Sequence, residues 1–404
     1  MSMPRIVAAA ALAAALASSA PHIARATDAE AFETRLANAQ AKLAGGLIQR
    51  LAERGKAMVA VSPASLAGAA AALDLGASSR LRRALHGTLG FRKSAQEEAD
   101  FAALREQLNK LAADAGTPLR MANLVAFDDS LALYPGVPLA FKQAGLDHTV
   151  VDFSAPGTAE DLNKWVREHT AGLIPEIVDR LPGGTSMLVL NALHFKDRWK
   201  APFDAADTRP APFKRVGAKP IAVETMQLPQ GRYMFRRDAR FLAIDLPYAN
   251  DRFRMVIVTT RGERAAPARA FRRADEWLTG RNFAEAEGEL ALPRLLVSSR
   301  EDLTATLDAL GLRAARLAPD SLSGFTADAA QITRVLQRLE LRLNEEGTEA
   351  AAATAVTVER GATADYVRMM VDKPFVFALR DAKTGLILVA GYVGEPAAVA
   401  TAAR

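Results

Sequence analysis

The chain has 404 residues, half of them hydrophobic, with a formal net charge of +5 and a pI near 9.5. It contains no cysteine, which excludes a disulfide framework, a cysteine-bound zinc site and thiol catalysis. The basic residues are mostly arginine, with small clusters at Arg80 to Arg83, Arg236–Arg237 and between Arg261 and Arg273. No stacking aromatics interleave with them, so solvated helix faces are expected rather than a nucleic-acid or polyanion site.

Residues 1–26 read as a signal peptide. Arg5 supplies a short positive start, Ile6 to Ala17 an apolar stretch, and Ala24-Arg25-Ala26 a small-x-small cleavage site. A cut after Ala20 would leave Pro21 next and is disfavoured. The plainer alternative is an alanine-rich disordered start or an N-terminal helix. The apolar stretch is too short and too weakly apolar to span a bilayer. Secretion, extracellular or periplasmic, is therefore expected, with no membrane attachment. Residues 27–404 show evenly spread hydrophobic runs and no Pro/Ser/Gly-rich linker, so they read as one large domain.

Phe32, Leu36, Leu43, Leu47 and Leu51 recur at helical spacing, predicting an amphipathic helix over 29–54. "VAVSPASLAGAAAALDLGASS" predicts a short strand and a second helix, capped by Ser62, opened by Pro63 and closed by Gly76. A polar helix over 95–114 carries Leu104, Leu108 and Leu111. Strands are predicted at 121–127, 186–195, 223–228, 232–236, 241–246, 252–260 and 289–297. A helix over 300–310 ends at Gly311, and a strand over 333–343 follows. "FVFAL" and "LILVAGYV" form the last strands around the turn Asp381 to Gly385. Helices come early and strands late without βαβ alternation, which argues an α+β fold.

The chemistry-bearing motifs are missing. His22, His86, His148, His169 and His194 stand apart, with no HExxH or HxH spacing. There is no GxSxG elbow, no GxxxxGK[ST] loop and no GxGxxG. "LPGGTS" (181–186) is Gly-rich but reads as a turn. An acid pair assembled by folding is left open, but an enzyme is not expected, and neither is a cofactor or a metal.

What stands out is "NEEGTEAAAATAVTVERGATA", running from Asn344 to Ala364. Its alanines have helical composition, while Thr354 to Glu359 alternate like a strand. On its own it fits an alanine-rich linker or short helix as well as a strand. The segment Glu345-Glu346-Gly347-Thr348-Glu349-Ala350-Ala351-Ala352-Ala353-Thr354 closely resembles the hinge of inhibitory serpins. "DKPFVFALRDAKTGLILVAGYVGEP" (372–396) resembles that family's C-terminal signature. "LNALHFKDRWKAPFDAADTRPAPF" (190–213), "VSPASLAGAAAALDLGA" (61–77) and "ALPRLLVSSREDLTATLDALGL" (291–312) resemble three further family segments, in the family's order. The resemblance covers roughly residues 30–396.

The resemblance implies the serpin fold: three β-sheets, about eight or nine helices and an exposed reactive-centre loop, here about 345–371. It implies a monomeric serine-protease inhibitor acting as a suicide trap. The protease forms an acyl-enzyme with the loop, which then inserts into the central sheet as a new strand. The residues suit that motion. Thr348, Ala350, Ala352, Thr354, Val356 and Val358 are small or β-branched and fit a pre-packed core, while Glu349, Thr357 and Glu359 take the wetter face. No proline interrupts the ladder, and Gly347 supplies the hinge.

Counting from Gly347 in the family's frame places the scissile bond at Gly361–Ala362, which suits an elastase-like or subtilisin-like protease. The rival is Arg360–Gly361, for a trypsin-like one. The resemblance also implies a gate formed by Ser62, Ser65, Asn191 and position 337. The family's histidine is Gln337 here, which still donates and accepts but with different geometry. The basic residue of the family's "GRV" is replaced by Tyr392. At the top of the sheet the resemblance pairs Glu345 with Arg294, over Trp199. An exposed pair there would be worth about 0–1 kcal/mol. Some serpins are carriers or chaperones, often with bulky or charged hinges. This hinge has neither, so inhibition is expected over a non-inhibitory binding, carrier or chaperone role.

Overall fold

Ser62 organises the first part of the chain. In the computed structural model, which describes residues 31–91, 97–114, 116–348 and 366–396, its hydroxyl accepts the N–H of Ser65 at 3.0 Å and so caps helix α2 (Pro63–Asp74). Every residue of α2 from Pro63 to Leu73 is buried. A helix built of alanine, glycine and leucine on all sides belongs inside a protein, and α2 lies between strands of both sheets. Helix α1 (residues 31–52) buries Phe32, Leu36, Leu43, Leu47 and Leu51, as its periodicity predicts.

Three helices have little sequence signal. Helix α3 (Ser79–Thr88) contains the basic cluster at 80–83 and buries only Leu81, Leu85 and His86. Helix α5 (Val137–Ala144) is eight residues long and stops at Gly145, which takes a left-handed conformation. Helix α6 (Thr158–His169) buries Thr158, Leu162, Asn163 and Val166 beneath a charged face. The polar helix α4 spans Glu97–Ala113. The expected helix over 300–310 is displaced. Its first residues finish a strand, and a helical segment runs through α7 (Thr304–Leu307), a wide turn at Asp308–Leu312 and α8 (Arg313–Arg316). Gly311, with φ +110°, bends that segment instead of ending it.

The strands form two hydrogen-bonded sheets among the described residues. The nine-stranded sheet runs β1 (Met58–Val61), β16 (Ile387–Val393), β15 (Phe375–Asp381), β9 (Phe253–Thr260), β8 (Phe241–Pro247), β7 (Ala218–Arg237), β10 (Ala284–Pro293) and β14 (Val367–Met370), with β6 (Arg209–Arg215) also on β7. β7 is a single strand of 20 residues where two short ones were expected. Its first half pairs with β6 and its second with β8, so two of the three expected sheets are joined through it.

The seven-stranded sheet runs β3 (Asp147–Val151), β2 (Leu119–Asp128), β4 (Met187–Phe195), β12 (Arg334–Leu343), β13 (Gly347–Thr348) and β5 (Asp197–Arg198), with β11 (Leu295–Asp302) also on β12. The predicted strand 289–297 is thus split between the two sheets, at Arg294. β4 and β12 pair in parallel at the centre. Alternation gives them two rows. Val189, Leu193, Phe195, Val335, Leu339 and Leu341 face the main core, while Leu188, Leu190, Ala192 and Leu336 face a second core under α6.

A Cβ on Gly76 would lie 2.3 Å from the ring of Phe325, which is itself buried. Gly76→Ala is expected to cost about 1–3 kcal/mol by overpacking, read as a lowered denaturant midpoint, and Phe325→Leu in the same chain should restore part of it.

Candidate functional site

The site begins where β12 ends. The Asn344 side-chain oxygen accepts the N–H groups of Glu346 and Gly347 at 3.2 and 3.1 Å, and the Asn344 N–H donates to the Gly347 carbonyl at 2.9 Å. This Asx-type turn reverses the chain. Gly347 and Thr348 then form β13, seated antiparallel between Leu343 of β12 and Asp197–Arg198 of β5. Only glycine fits there. Its φ is +153°, and a Cβ would lie 2.2 Å from the Asp197 carbonyl oxygen and 2.6 Å from the Arg198 Cα.

Thr348 is wholly buried, and its hydroxyl lies 2.8 Å from that of Tyr248. Burial pushes the Tyr248 phenol far above its ordinary value, and the nearby Asp197 adds to this. Burial also raises the Asp197 carboxyl. Both groups are poor hosts for charge, which suits a site that receives uncharged side chains. Tyr248 stacks on Trp199 with ring centroids 4.4 Å apart. Trp199 in turn holds the turn from below. Its indole N–H donates to the Asn344 carbonyl at 3.0 Å and its backbone N–H to the Glu346 carbonyl at 2.8 Å.

Glu345 is brought to Arg294, and Trp199 bonds the carbonyls of the residues on either side of it. Arg294 bonds the Glu345 carboxylate through Nε at 2.7 Å and through a terminal nitrogen at 2.6 Å, and the Thr208 hydroxyl donates to the same oxygen. The Phe203 N–H donates to the Glu345 carbonyl at 2.8 Å. The side chains are only 8% and 17% exposed, so this is not the exposed pair that costs little to lose. Removing Arg294 alone would strand a buried carboxylate, at about 3–5 kcal/mol.

The gate residues come together only in part. Gln337 lies opposite Asn191 in the β12–β4 ladder. Its side chain, however, turns to the backbone of Ser62, accepting the N–H at 2.7 Å and donating to the carbonyl at 3.2 Å. Ser62 and Ser65 bond each other through their hydroxyls at 2.8 Å. Asn191 donates to Asn123 of β2 at 3.1 Å, and its own carbonyl oxygen has no partner among the described residues. The different geometry expected of Gln337 in place of the family's histidine thus takes the form of two bonds to the Ser62 backbone. A primary amide with one donor face and one acceptor face matches a peptide unit, and it bonds Ser62 in that way.

Tyr248, Thr208 and Phe203 were missed by sequence reasoning; nothing local marks them, because their partners lie far along the chain. Asn344 could have been found, since an Asn three residues before a Gly is a turn signal. The segment from Glu349 to Ala362, with Thr354, Val356, Val358 and both candidate bonds after Arg360 and Gly361, lies outside the described residues, as does the leader. Asp128, Asp129 and Asp152 bring carboxylates within 4.8 Å of one another. Asp128 is engaged by Ser130 and the Phe153 N–H and Asp152 by Ser154, so these acids organise turns. No described helix is long and apolar enough to cross a membrane.

The family profile for "Serpin (serine protease inhibitor)" matches residues 38–396. The chain is 31% identical over 334 residues to serine protease inhibitor 42Dd of Drosophila melanogaster, covering 80% of this chain and 88% of that one. It is 28% identical over 384 residues to the leukocyte elastase inhibitor of Bos taurus, covering 90% and 100%. Among solved structures, Serpin48 of the insect Tenebrio molitor superposes with a TM-score of 0.78 at 24% identity, covering 89% of this chain and 98% of that one.

Gly347→Ala is expected to expel β13 from its seat. The N–H groups of Trp199 and Phe203, which donate to the carbonyls of Glu346 and Glu345, should then exchange with solvent at least about tenfold faster. Unchanged exchange would show that the glycine is not required.

Proposed function

The chain belongs to the serpin family, and from that membership we propose that it is a secreted inhibitor that traps a serine protease by inserting its cleaved loop into the seven-stranded sheet. The observation that supports this most is a register. Thr348 lies opposite Leu343 on one side and Asp197 on the other. The direct β12–β4 ladder sets Gln337 opposite Asn191 and Glu340 opposite His194. Continued by three residues, it sets Leu343 opposite Asp197. The hinge and the central ladder therefore share one frame.

The chain reverses at Asn344, so a continuation of β13 runs antiparallel to both β4 and β12. Those strands need only part sideways, with no slide along their axes. In that frame Ala352 falls between Leu339 and Leu193, Thr354 between Gln337 and Asn191, and Val356 between Val335 and Val189. These pairs belong to the row facing the main core. The small residues at even positions thus go where space is tight, and Glu349, Thr357 and Glu359 go to the side of α6. One strand interface is replaced by two, and each added backbone hydrogen bond contributes roughly 0.5–1.5 kcal/mol.

The Gly361–Ala362 bond suits an elastase-like or subtilisin-like target, with a trypsin-like enzyme cutting at Arg360–Gly361 as the alternative. Glu345, Arg294 and Trp199 hold the place where the loop first meets the sheet, and Ser62, Ser65, Asn191 and Gln337 hold the place where β4 and β12 must separate. Residues 1–26 direct export, and residues 27–404 act as one monomeric inhibitor domain.

Incubated with elastase-, subtilisin- and trypsin-like proteases, the protein should form an SDS-resistant adduct with at least one. The C-terminal fragment released should begin at Ala362, or at Gly361 for the alternative bond. Cleavage by all of them with no adduct would overturn the reading. Thr348→Arg would place a cation against Tyr248 in a wholly buried site, which opposes insertion. Adduct yield should fall by about an order of magnitude or more while loop cleavage continues; undiminished adduct would refute the assignment of Thr348 to the core face.

A further inference from the structure

The alanine run of α2 leaves a space beside the helix. Leu66, Ala69, Ala70 and Leu73 share one face of it, at i, i+3, i+4 and i+7. The two leucines reach out from that face, but the two alanines between them end at Cβ. A cavity of about 30 Å3, open to the centres of water-sized bodies, lies in front of them. Val189 of β4 and Val335 of β12 form its opposite wall, and these two stand across from each other in the direct ladder. Leu43 of α1, Leu85 of α3 and Leu307, Leu312 and Ile332 close it around.

The walls are apolar. Among the described side chains that line the cavity, only Thr88 carries a polar atom, and its hydroxyl donates to the Ala84 carbonyl at 2.8 Å. A buried water needs two to four polar partners, which this site does not offer, and cavities of this kind stay dry and take nonpolar ligands. One water fills about 10–15 Å3 by the same measure, so the space accepts roughly two or three heavy atoms. Side chains facing a void lack dispersion contacts on that side, and an occupant restores them.

We propose that this cavity binds a small nonpolar molecule, and that the ligand competes with the inserting strand. The second half rests on the reading that the loop enters between β4 and β12. In that frame a side chain arriving between Val189 and Val335 belongs to the row that faces the main core, which is the side of the cavity. Ligand and inserted strand therefore claim the same space. A ligand that binds only the closed arrangement adds to its stability as its concentration rises, and by touching both strands it holds β4 and β12 together.

The test is methyl NMR of the intact protein under increasing pressures of xenon and, separately, of cyclopropane. The methyl signals of Leu66, Leu73, Val189 and Val335 should shift saturably with at least one gas. Those of Val256 and Val258, buried in β9 and away from the cavity, should stay still. Ala70→Leu fills the space and should abolish the shifts; Ala69→Val serves in its place should that variant fail to fold. After loop cleavage the shifts should be lost. No saturable shift in the intact chain, or shifts that survive filling, would overturn the site. Binding that is equal before and after cleavage would overturn the competition where amide exchange shows the loop inserted. Where exchange shows the loop outside the sheet, the insertion reading fails and the site stands.

Discussion

The structure depends on the close approach of Gly347 to the backbone of Asp197 and Arg198. That contact leaves no room for a side chain, and it puts the returning chain in register with two strands at once. Everything else at the top of the sheet supports this seat. Asn344 makes the turn, Trp199 bonds its carbonyls, Arg294 neutralises Glu345, and Tyr248 takes the Thr348 hydroxyl. A two-residue strand held this way is a started ladder. Starting a ladder is the costly part of forming one, since chain must be ordered before hydrogen bonds accumulate.

The opposing constraint is the β4–β12 ladder itself. All nine residues of β4 are buried, and seven paired positions join it to β12. An ordinary protein with such a pair at its centre would never part it. Here the pair has a weak place. Asn191 and Gln337 sit opposite each other in the row that faces the main core, and neither bonds the other. The Asn191 side-chain oxygen has no partner among the described residues, and a buried polar atom left so costs about 1–3 kcal/mol. In the proposed register the residue that arrives between them is Thr354, whose hydroxyl can donate to that oxygen. A native state with a flaw that insertion repairs is consistent with a molecule whose persistence is kinetic.

Much of this was legible in the sequence, for identifiable reasons. Ser62-Pro63 announces α2 because capping and a fixed φ act locally, and Leu43, Leu47 and Leu51 announce α1 because burial follows helical spacing. The hinge was assigned by its resemblance to a family segment, and of that segment the structure describes Glu345 to Thr348, which form the turn and β13. What escaped was the work of distant partners. Tyr248 meets Thr348 across the fold, with no local pattern at either residue. Helix α6 hides its Leu162 and Val166 among charges. The long β7 looked like two strands because Pro229-Gln230-Gly231 reads as a break, yet β10 pairs along both sides of it. Gln337 was legible as a departure from its family, but not the direction in which its amide would turn.

In the proposed mechanism the cleaved loop becomes an interior strand between β4 and β12. Residue-resolved amide exchange on the loop-cleaved protein tests it most directly. An interior antiparallel strand has a partner for every N–H, so all amides from Glu349 to Thr357 should be protected as strongly as those of β4. Protection of alternate amides would instead place the loop at a sheet edge, and fast exchange throughout would leave it outside the sheet. Either result would rule out insertion between β4 and β12.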